Sequence, residues 1–153
     1  MNSFNFTKWN TILGWGTFAI ALITYTLTLE PTVSYWDCGE YISTAVKLEV
    51  GHPPGAPLFQ MLGAFFAMFT SDVTEIAKMV NFMSALASAF TILFMFWTIT
   101  ILARKLVKKS SEISKSSSIA ILGSGVVGGL TYTFSDSFWF SAVEGEVYAM
   151  SSF

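Results

Sequence analysis

The chain has 153 residues, of which 53% are hydrophobic and only 12% are charged, and its formal net charge is −2. Because a soluble domain carries about 25% charged residues, this composition excludes an ordinary soluble protein and indicates an integral membrane protein. The absence of a basic patch excludes nucleic-acid binding, and the single cysteine excludes an internal disulfide and a multi-cysteine metal site.

Three long uncharged stretches predict membrane-spanning helices, at residues 11–29, 79–103 and 118–134. The first two are long enough for the about 30 Å of hydrocarbon in a bilayer, and the third is at the short end of that range. A cleaved signal peptide is the alternative for the first stretch, but no small-residue cleavage site precedes Glu30. We therefore expect an all-α membrane protein with three transmembrane helices.

The segment between the first two spans, residues 30–78, contains a predicted amphipathic helix over residues 35–50. Ser34 and Asp37 have the spacing of a capping box, which would start that helix. Ile42, Val46 and Leu48 fall on roughly one side, and the polar residues follow each other at three- and four-residue steps on the other: Asp37, Glu40, Tyr41, Thr44 and Lys47. This pattern is typical of a helix that lies at the membrane surface with its apolar side down.

A second short helix is predicted over residues 57–70. Gly51 is placed to end the preceding helix, the prolines of "HPPGAP" exclude a helix there, and Pro57 can begin the next one at its first position. A helix of about fourteen residues is too short for an ordinary span. We expect it to lie along or dip into the outer face without crossing the membrane.

The basic residues predict the orientation. The loop between the second and third spans, residues 104–117, contains Arg104, Lys105, Lys108, Lys109 and Lys115. By the positive-inside rule this loop is cytoplasmic, as is the N-terminus. Residues 30–78 and 135–153 then lie on the outer side, which collects the only histidine and most of the acids: Asp37, Glu40, Glu49, His52, Asp136, Glu144 and Glu146.

Several of these residues allow two interpretations. Asp37 could serve only as a helix cap, but it is flanked by Tyr35 and Trp36 at the membrane surface, where acids tend to be functional. His52 could be a metal ligand or a hydrogen-bonding residue of the loop. Cys38, among bulky neighbours, is interpreted as a small packing residue.

A glycine motif in the third span resembles a nucleotide-binding fingerprint. Residues 123–128, "GSGVVG", match the spacing GxGxxG. That fingerprint requires a preceding strand within a βαβ unit, whereas here it lies in an uncharged membrane segment. Gly125 and Gly129 instead predict a close contact between helices.

Three stretches of the chain resemble the GT-C membrane glycosyltransferases. They are "YWDCGEYISTAVKLEVGHPPGAPLFQMLG", "MVNFMSALASAFTILF" and "FWFSAVEGEVYAMSS". Protein O-mannosyltransferases and lipid A aminoarabinose transferases have a similar order of first-loop acid, helix and "PP". The resemblance is greatest to the bacterial domain-of-unknown-function 2723 family, which is related to the protein O-mannosyltransferases.

The resemblance implies a GT-C-like N-terminal part of an enzyme in the bacterial inner membrane, with its catalytic face in the periplasm. Such an enzyme transfers a sugar, mannose-like in this family, from a polyprenyl-phosphate donor to Ser or Thr hydroxyls of exported proteins. Its partners are that lipid-linked donor, the exported acceptor protein and membrane lipid. Residues 1–153 would form the N-terminal portion of a single polytopic membrane domain and would be inactive alone.

The resemblance also implies residue roles. Asp37 corresponds to the first-loop acid, which as general base takes the proton of the attacking hydroxyl, and Glu40 is the second catalytic candidate. The leaving lipid phosphate needs no acid to protonate it, in contrast to the leaving group of a glycosidase. It does need positive charge, which Lys47 or His52 could offer, and Tyr41 is a further substrate-binding candidate.

Glu144 and Glu146 are candidate substrate-binding residues and possible metal ligands. In GT-C oligosaccharyltransferases, spaced acids in outer loops hold a divalent metal, and hard cations prefer such oxygen ligands. The O-mannosyltransferases generally do not show that requirement. The alternative for the pair is that it starts the next helix, where the helix dipole favours acids.

The competing functional class is a non-enzymatic membrane protein, either a channel or a structural subunit whose outer acids bind a partner. Its support is that residues 1–153 contain fewer spans than a GT-C core requires. A transporter is disfavoured because ionisable residues, which transporters carry within their spans, are absent from the three uncharged stretches.

Overall fold

A computed structural model describes residues 4–53, 55–107 and 114–153. All regular structure in these ranges is helical, which confirms the all-α prediction: α1 (Phe6–Leu27), α2 (Cys38–Lys47), α3 (Pro57–Ala67), a 3-10 turn (Val73–Glu75), α4 (Ile76–Val107), α5 (Lys115–Thr133), α6 (Asp136–Ala142) and α7 (Val147–Ser151). Lys108 and Lys109 of the predicted cytoplasmic loop, and Pro54 of "HPPG", lie outside the described residues.

The three long apolar stretches form α1, α4 and α5, which pack against one another. Two helical segments, Phe6–Leu27 and Val73–Val107, are long and apolar enough to cross a membrane. The third candidate requires α5 and α6 to be taken together, although the two helices are bent by 68° relative to each other. The described residues therefore contain two to three helices that could span a bilayer.

Local side-chain caps start the long helices. Asn5 before α1, Asp72 before the turn that leads into α4, and Ser114 before α5 each accept a hydrogen bond from a backbone N–H, at 3.0, 2.9 and 3.1 Å. These bonds satisfy N–H groups that have no partner within a helix.

The end of α1, the start of α4 and the segment after α5 meet at one end of the bundle. The Tyr25 hydroxyl donates to the carbonyl oxygen of Thr133 at 3.0 Å, and the Glu30 N–H donates to the carbonyl oxygen of Val143 at 3.2 Å. The Asn81 amide donates to the carbonyl oxygen of Glu30 at 2.7 Å. The two acidic segments of the sequence, residues 30–78 and 135–153, therefore lie at the same end.

Helix α2 is shorter than the predicted helix over residues 35–50. Asp37 occupies its N-cap position without a side-chain cap hydrogen bond, so the capping-box prediction was wrong. The helix ends at Leu48, which adopts the left-handed conformation at φ 53° and ψ 42°, and not at Gly51. Gly51 instead lets the loop backbone lie close to the side chain of Glu40, because a Cβ on Gly51 would be 3.1 Å from Oε1 of Glu40.

The apolar residues of α2 divide into a buried set and an exposed set, and the expectation that the helix lies on the membrane stays a prediction. Cys38 and Ile42 are buried in a cluster with residues of α3 and α4, and Ala45 is buried against Gly63 of α3, whereas Val46 and Leu48 are exposed. The fully buried position of Cys38 agrees with its interpretation as a packing residue. The helix thus packs on protein along this face, because Ile42 and Ala45 lie three residues apart and share one side.

Helix α3 spans Pro57–Ala67, three residues fewer than the predicted 57–70. Pro57 stands at the start of the helix, as expected. Gly63 lets α3 approach α2 closely, since a Cβ on it would lie 2.9 Å from Cβ of Ala45. On the far side, Leu58, Met61 and Phe65 are exposed and give the helix an apolar outer surface.

Gly125 and Gly129 lie at the contact between α4 and α5, which confirms the prediction that they form a close contact between helices. Gly125 and Gly129 are buried. A Cβ on Gly125 would lie 2.7 Å from Cγ2 of Thr100 and 2.9 Å from the ring of Phe96, distances that leave no room for a side chain. The absence of a Cβ is therefore what lets the two helices pack this closely.

Candidate active site

A cavity of about 320 Å³ opens between the start of α2 and the segment that contains α6 and α7. It is lined by four aromatic residues, two acids and one serine: Trp36, Tyr41, Phe140, Tyr148, Asp37, Glu146 and Ser141. Its volume is within the range of about 300–1,000 Å³ that is typical of small-molecule sites. Apolar walls with two acids are suited to a ligand that carries both flat faces and hydroxyl groups.

Asp37 reaches this cavity with a free carboxylate. Its side chain is 60% exposed, and it makes no cap hydrogen bond to α2. The preceding residue, Trp36, has a positive φ of 59°, which costs free energy for a bulky side chain. This strained backbone turns the Trp36 ring out into the cavity wall, where it is exposed beside the acid.

Glu40 and His52 form a hydrogen-bonded pair next to Asp37. The carboxylate of Glu40 accepts from the backbone N–H of His52 at 2.6 Å and contacts the ring Nδ1 at 2.9 Å. These two bonds lower the pKa of Glu40, and the bond to Glu40 raises the pKa of His52. Nε2 of His52 lies 3.9 Å from Oδ2 of Asp37.

Asp37, Glu40 and His52 form a group of potential metal ligands, as found among the residues that the structure describes. One ligand atom each from Asp37, Glu40 and His52 all lie within 4.8 Å of one another. Glu144 and Glu146, which the family resemblance gave only as possible metal ligands, do not belong to this group. Nitrogen and carboxylate oxygens are a donor set that divalent transition metals accept.

Glu144 and Glu146 occupy different environments, although only one residue separates them. Glu146 is 9% exposed and lines the cavity with Asp37, whereas Glu144 is 3% exposed and does not line it. Burial raises the pKa of both carboxyls, and the negative charge of Glu144 adds to the effect at Glu146. Glu146 is also the N-cap residue of α7, but its side chain makes no cap hydrogen bond.

Glu144 has an unsatisfied buried atom, and we therefore expect Glu144→Gln to stabilise the protein. No partner for its Oε2 is present in the described part of the chain. The pKa of Glu144 is raised in the folded state, so folding is favoured below the unfolded pKa of about 4.3 and that contribution is lost as the pH rises through the folded pKa. Removal of the charge should add about 1 kcal/mol or more to the free energy of unfolding at neutral pH.

Thermal unfolding in detergent, followed as a function of pH, checks this expectation. The gain for Glu144→Gln should shrink as the pH approaches about 4, where the wild-type carboxyl is protonated. Glu49→Gln, a change of an exposed acid, should leave the midpoint unchanged at every pH. A variant that is less stable than the parent at neutral pH would contradict the assignment.

Two other predicted site residues lie in contrasting places. Tyr41 lines the cavity and its ring packs on Phe59 at a centroid distance of 5.5 Å. Lys47 is exposed at the last turn of α2, and ten residues of helix separate it from Asp37 by roughly 15 Å. The structure therefore brings Tyr41 into the site and leaves Lys47 away from it.

The sequence interpretation missed three lining residues after α5, namely Phe140, Ser141 and Tyr148. The signal that could have found them is the concentration of aromatic residues around the acids in "FWFSAVEGEVY". Trp36 was noted only as a neighbour of Asp37, because a positive φ cannot be inferred for a tryptophan from sequence.

Comparison with known proteins gives a family match and curated relatives. Residues 37–153 match the family described as "Protein O-mannosyl-transferase TMEM260 N-terminal domain". The chain is 29% identical over 136 residues to a Dictyostelium discoideum protein named "Protein O-mannosyl-transferase tmem260", an alignment that covers 88% of this chain and 15% of the relative. It is 30% identical over 135 residues to a Mus musculus protein named "Protein O-mannosyl-transferase TMEM260", and that alignment covers 88% of this chain and 17% of the relative.

The chain thus spans only 15% and 17% of the length of these two relatives. No solved structure matches it. The matched region begins at Asp37 and includes the whole of the cavity except Trp36.

Proposed function

This chain belongs to the family of the protein O-mannosyl-transferase TMEM260 N-terminal domain, and on that premise we propose that it is the N-terminal part of a GT-C membrane glycosyltransferase. The predicted resemblance to protein O-mannosyltransferases is confirmed at the level of the family. The proposed enzyme transfers a mannose-like sugar from a polyprenyl-phosphate donor to Ser or Thr hydroxyls of exported proteins.

One observation carries the proposal: the free carboxylate of Asp37 in a cavity with aromatic walls. A sugar ring presents apolar C–H faces that pack on aromatic rings, here those of Trp36, Tyr41 and Tyr148. Its hydroxyls are hydrogen-bond donors that carboxylates accept. The cavity therefore suits a sugar whose anomeric carbon is held close to Asp37.

Asp37 acts as the general base of the proposed reaction. The acceptor hydroxyl oxygen bonds to the anomeric carbon while the bond from that carbon to the phosphate oxygen breaks. The hydroxyl proton passes to the Asp37 carboxylate, and the phosphate leaves with the electron pair of the broken bond. A second carboxylic acid to protonate the leaving group is not needed, because a lipid phosphate is stable as an anion.

The remaining residues support this reaction. The contacts of Glu40 to His52 favour a positioning role for Glu40 over direct catalysis. A protonated His52 can offer positive charge to the phosphate, because its raised pKa favours the cationic form. We do not assign that role to Lys47, because it lies at the opposite end of α2 from Asp37. Glu146 remains a candidate sugar contact, because it lines the cavity with Asp37.

We also propose a bacterial setting, on the resemblance to the bacterial domain-of-unknown-function 2723 family. The chain would then lie in the inner membrane with its cavity in the periplasm. The basic residues Arg104 and Lys105 at the end of α4, opposite the cavity, support this orientation.

Single cysteines in a Cys38→Ser background test the orientation in intact cells. An impermeant thiol reagent should label cysteines at Tyr35 and Val50, which are 81% and 92% exposed at the cavity end. A cysteine at Leu106, 85% exposed at the other end of α4, should react only after permeabilisation. Labelling of position 106 in intact cells would reverse the orientation and remove the support for a periplasmic cavity.

Reconstitution of the full-length protein in liposomes tests the activity. We expect transfer of labelled mannose from polyprenyl-phosphate mannose to an acceptor peptide with Ser or Thr, and none to the same peptide with Ala in those positions. A nucleotide-linked sugar should not replace the lipid-linked donor. Absence of transfer from any lipid-linked sugar would favour the alternative, a channel or structural subunit whose acids bind a partner.

A further inference from the structure

The side chain of Asn81 is enclosed where the two segments that form the cavity meet. Asn81 lies in the second turn of α4 and is 0% exposed. Its amide Nδ2 donates to the carbonyl oxygens of Glu30 and Thr32, at 2.7 and 2.9 Å. Because only the amide nitrogen can donate to two carbonyl oxygens, these bonds fix the orientation of the amide group and turn its Oδ1 away from the loop.

The amide oxygen of Asn81 faces the other segment of the cavity. A Cβ on Gly145, the residue between Glu144 and Glu146, would lie 2.8 Å from Oδ1 of Asn81. The φ of Gly145 is not positive, so an alanine could adopt the same backbone conformation. The absence of a Cβ at Gly145 therefore serves the close approach of this backbone to Asn81.

The segments on the two sides of Asn81 are those that form the cavity. The loop before α2 supplies Asp37 to the cavity, and the turn after α6 supplies Glu146. A backbone hydrogen bond of 3.2 Å, from the N–H of Glu30 to the carbonyl oxygen of Val143, joins the same two segments directly. The distance between the two cavity acids therefore depends on how firmly these segments are held together.

The loop that Asn81 binds leads to Asp37 through a strained residue. Thr32 precedes Asp37 by five positions, and Trp36 between them has a φ of 59°. A conformation of this kind persists only where the surrounding structure holds it. No helix lies between the end of α1 and the start of α2, so contacts to other parts of the protein must fix this loop.

We propose that Asn81 is a positioning residue of the candidate active site, which places Asp37 opposite Glu146. It binds the loop before α2 through its amide N–H groups and packs its amide oxygen on Gly145. Asn81 does not line the cavity, so it acts through Asp37 and not on the substrate. Its effect on sugar transfer rests on the proposed function, whereas its contacts to the two segments do not depend on that reaction.

A double-mutant cycle with the full-length protein in the liposome assay tests this role, at a temperature where all variants are folded. Asn81→Ala should lower kcat by about tenfold or more, because a displacement of about 1 Å can cost about 10²-fold in rate. It should lower the residual transfer of Asp37→Asn very little, since residues that act as a unit have non-additive effects. Equal losses in the two backgrounds would show that Asn81 supports only the fold and would overturn the proposal.

Ser88→Ala is the matched control for the cycle. Ser88 is 0% exposed, and it follows Asn81 by seven positions, or about two turns, on the same face of α4. Its hydroxyl makes no hydrogen bond among the residues that the structure describes. Removal of this buried polar group should leave the transfer rate unchanged.

Hydrogen exchange followed by mass spectrometry tests the contacts of Asn81 without reference to sugar transfer. Asn81→Ala should speed up exchange in peptides that cover residues 28–36 and 143–146 and leave exchange in α5 unchanged, whereas Ser88→Ala should alter neither. Unchanged exchange in both segments would overturn the proposal whether or not the protein transfers sugar. Faster exchange in a protein without transfer would confirm the contacts and contradict the proposed function instead.

Gly145→Ala tests the same contact from the other segment and remains decisive if Asn81→Ala yields no folded protein. The added Cβ would meet Oδ1 of Asn81 at 2.8 Å and push the backbone beside Glu146 away from α4. We expect a lower kcat and faster exchange of residues 143–146. Exchange and transfer equal to those of the parent protein would overturn the proposal.

Discussion

Replacement of Asp37 by asparagine is expected to lower sugar transfer by about 10²–10⁴-fold, the usual contribution of a general base. Asparagine has the same shape as aspartate but cannot accept the proton of the attacking hydroxyl at neutral pH. The fold should be retained, because the Asp37 side chain is 60% exposed and makes no cap hydrogen bond to α2 that the change would remove.

The liposome assay with lipid-linked mannose measures this loss, and yield and elution profile in detergent measure folding. Glu49→Gln is the control, since it removes one negative charge from the same loop outside the cavity and should keep full activity. Sugar transfer by Asp37→Asn at the rate of the parent protein would contradict the assignment of Asp37 as the general base.

The largest expected effect on stability comes from Gly125→Leu. A Cβ added at this position would lie 2.7 Å from Thr100 and 2.9 Å from the ring of Phe96, both on α4. A leucine must therefore push α4 and α5 apart along their contact. Overpacking of this kind costs about 1–3 kcal/mol and occasionally more, which is a large part of the stability of a domain of this size.

Gly123→Leu is the matched control for this change. Gly123 lies two residues earlier in α5, and no atom comes within 4 Å of a Cβ built on it. Thermal unfolding in detergent should show a midpoint lowered by several degrees or loss of folded protein for Gly125→Leu, and little change for Gly123→Leu. Equal stability of the two variants would disprove the close contact at Gly125.

The positions of the long helices follow from local composition. A stretch of about twenty uncharged apolar residues must satisfy its backbone hydrogen bonds internally in a membrane, so it forms a helix whatever its neighbours. This requirement is why 79–103 falls within α4, and why 11–29 and 118–134 fall within α1 and α5 except for one or two residues at their C-terminal ends. The contact at Gly125 was also predictable, because glycines four residues apart share one face of a helix.

The short elements were predicted less accurately because their ends depend on packing. Helix α2 begins and ends inside the predicted 35–50, and its termination at Leu48 uses a left-handed conformation that a leucine adopts only when its surroundings require it. The amphipathic pattern grouped Ile42 with Val46 and Leu48 on one side, whereas the buried apolar residues of α2 are Cys38, Ile42 and Ala45, the last of them against Gly63 of α3.

The sequence by itself determined that the chain is helical, with helices that could span a membrane, and it placed acids, one histidine and aromatic residues in two polar segments. Only the tertiary structure decided which of these side chains meet. The bend of 68° between α5 and α6 brings the second segment back over the start of α2, and the turn after α6 directs Glu146 into the cavity and Glu144 away from it. The pattern of apolar residues predicts a helix because the hydrogen bonds of a helix join residues that are close in sequence. A site between distant segments depends on the angles between helices, which no single stretch of sequence determines.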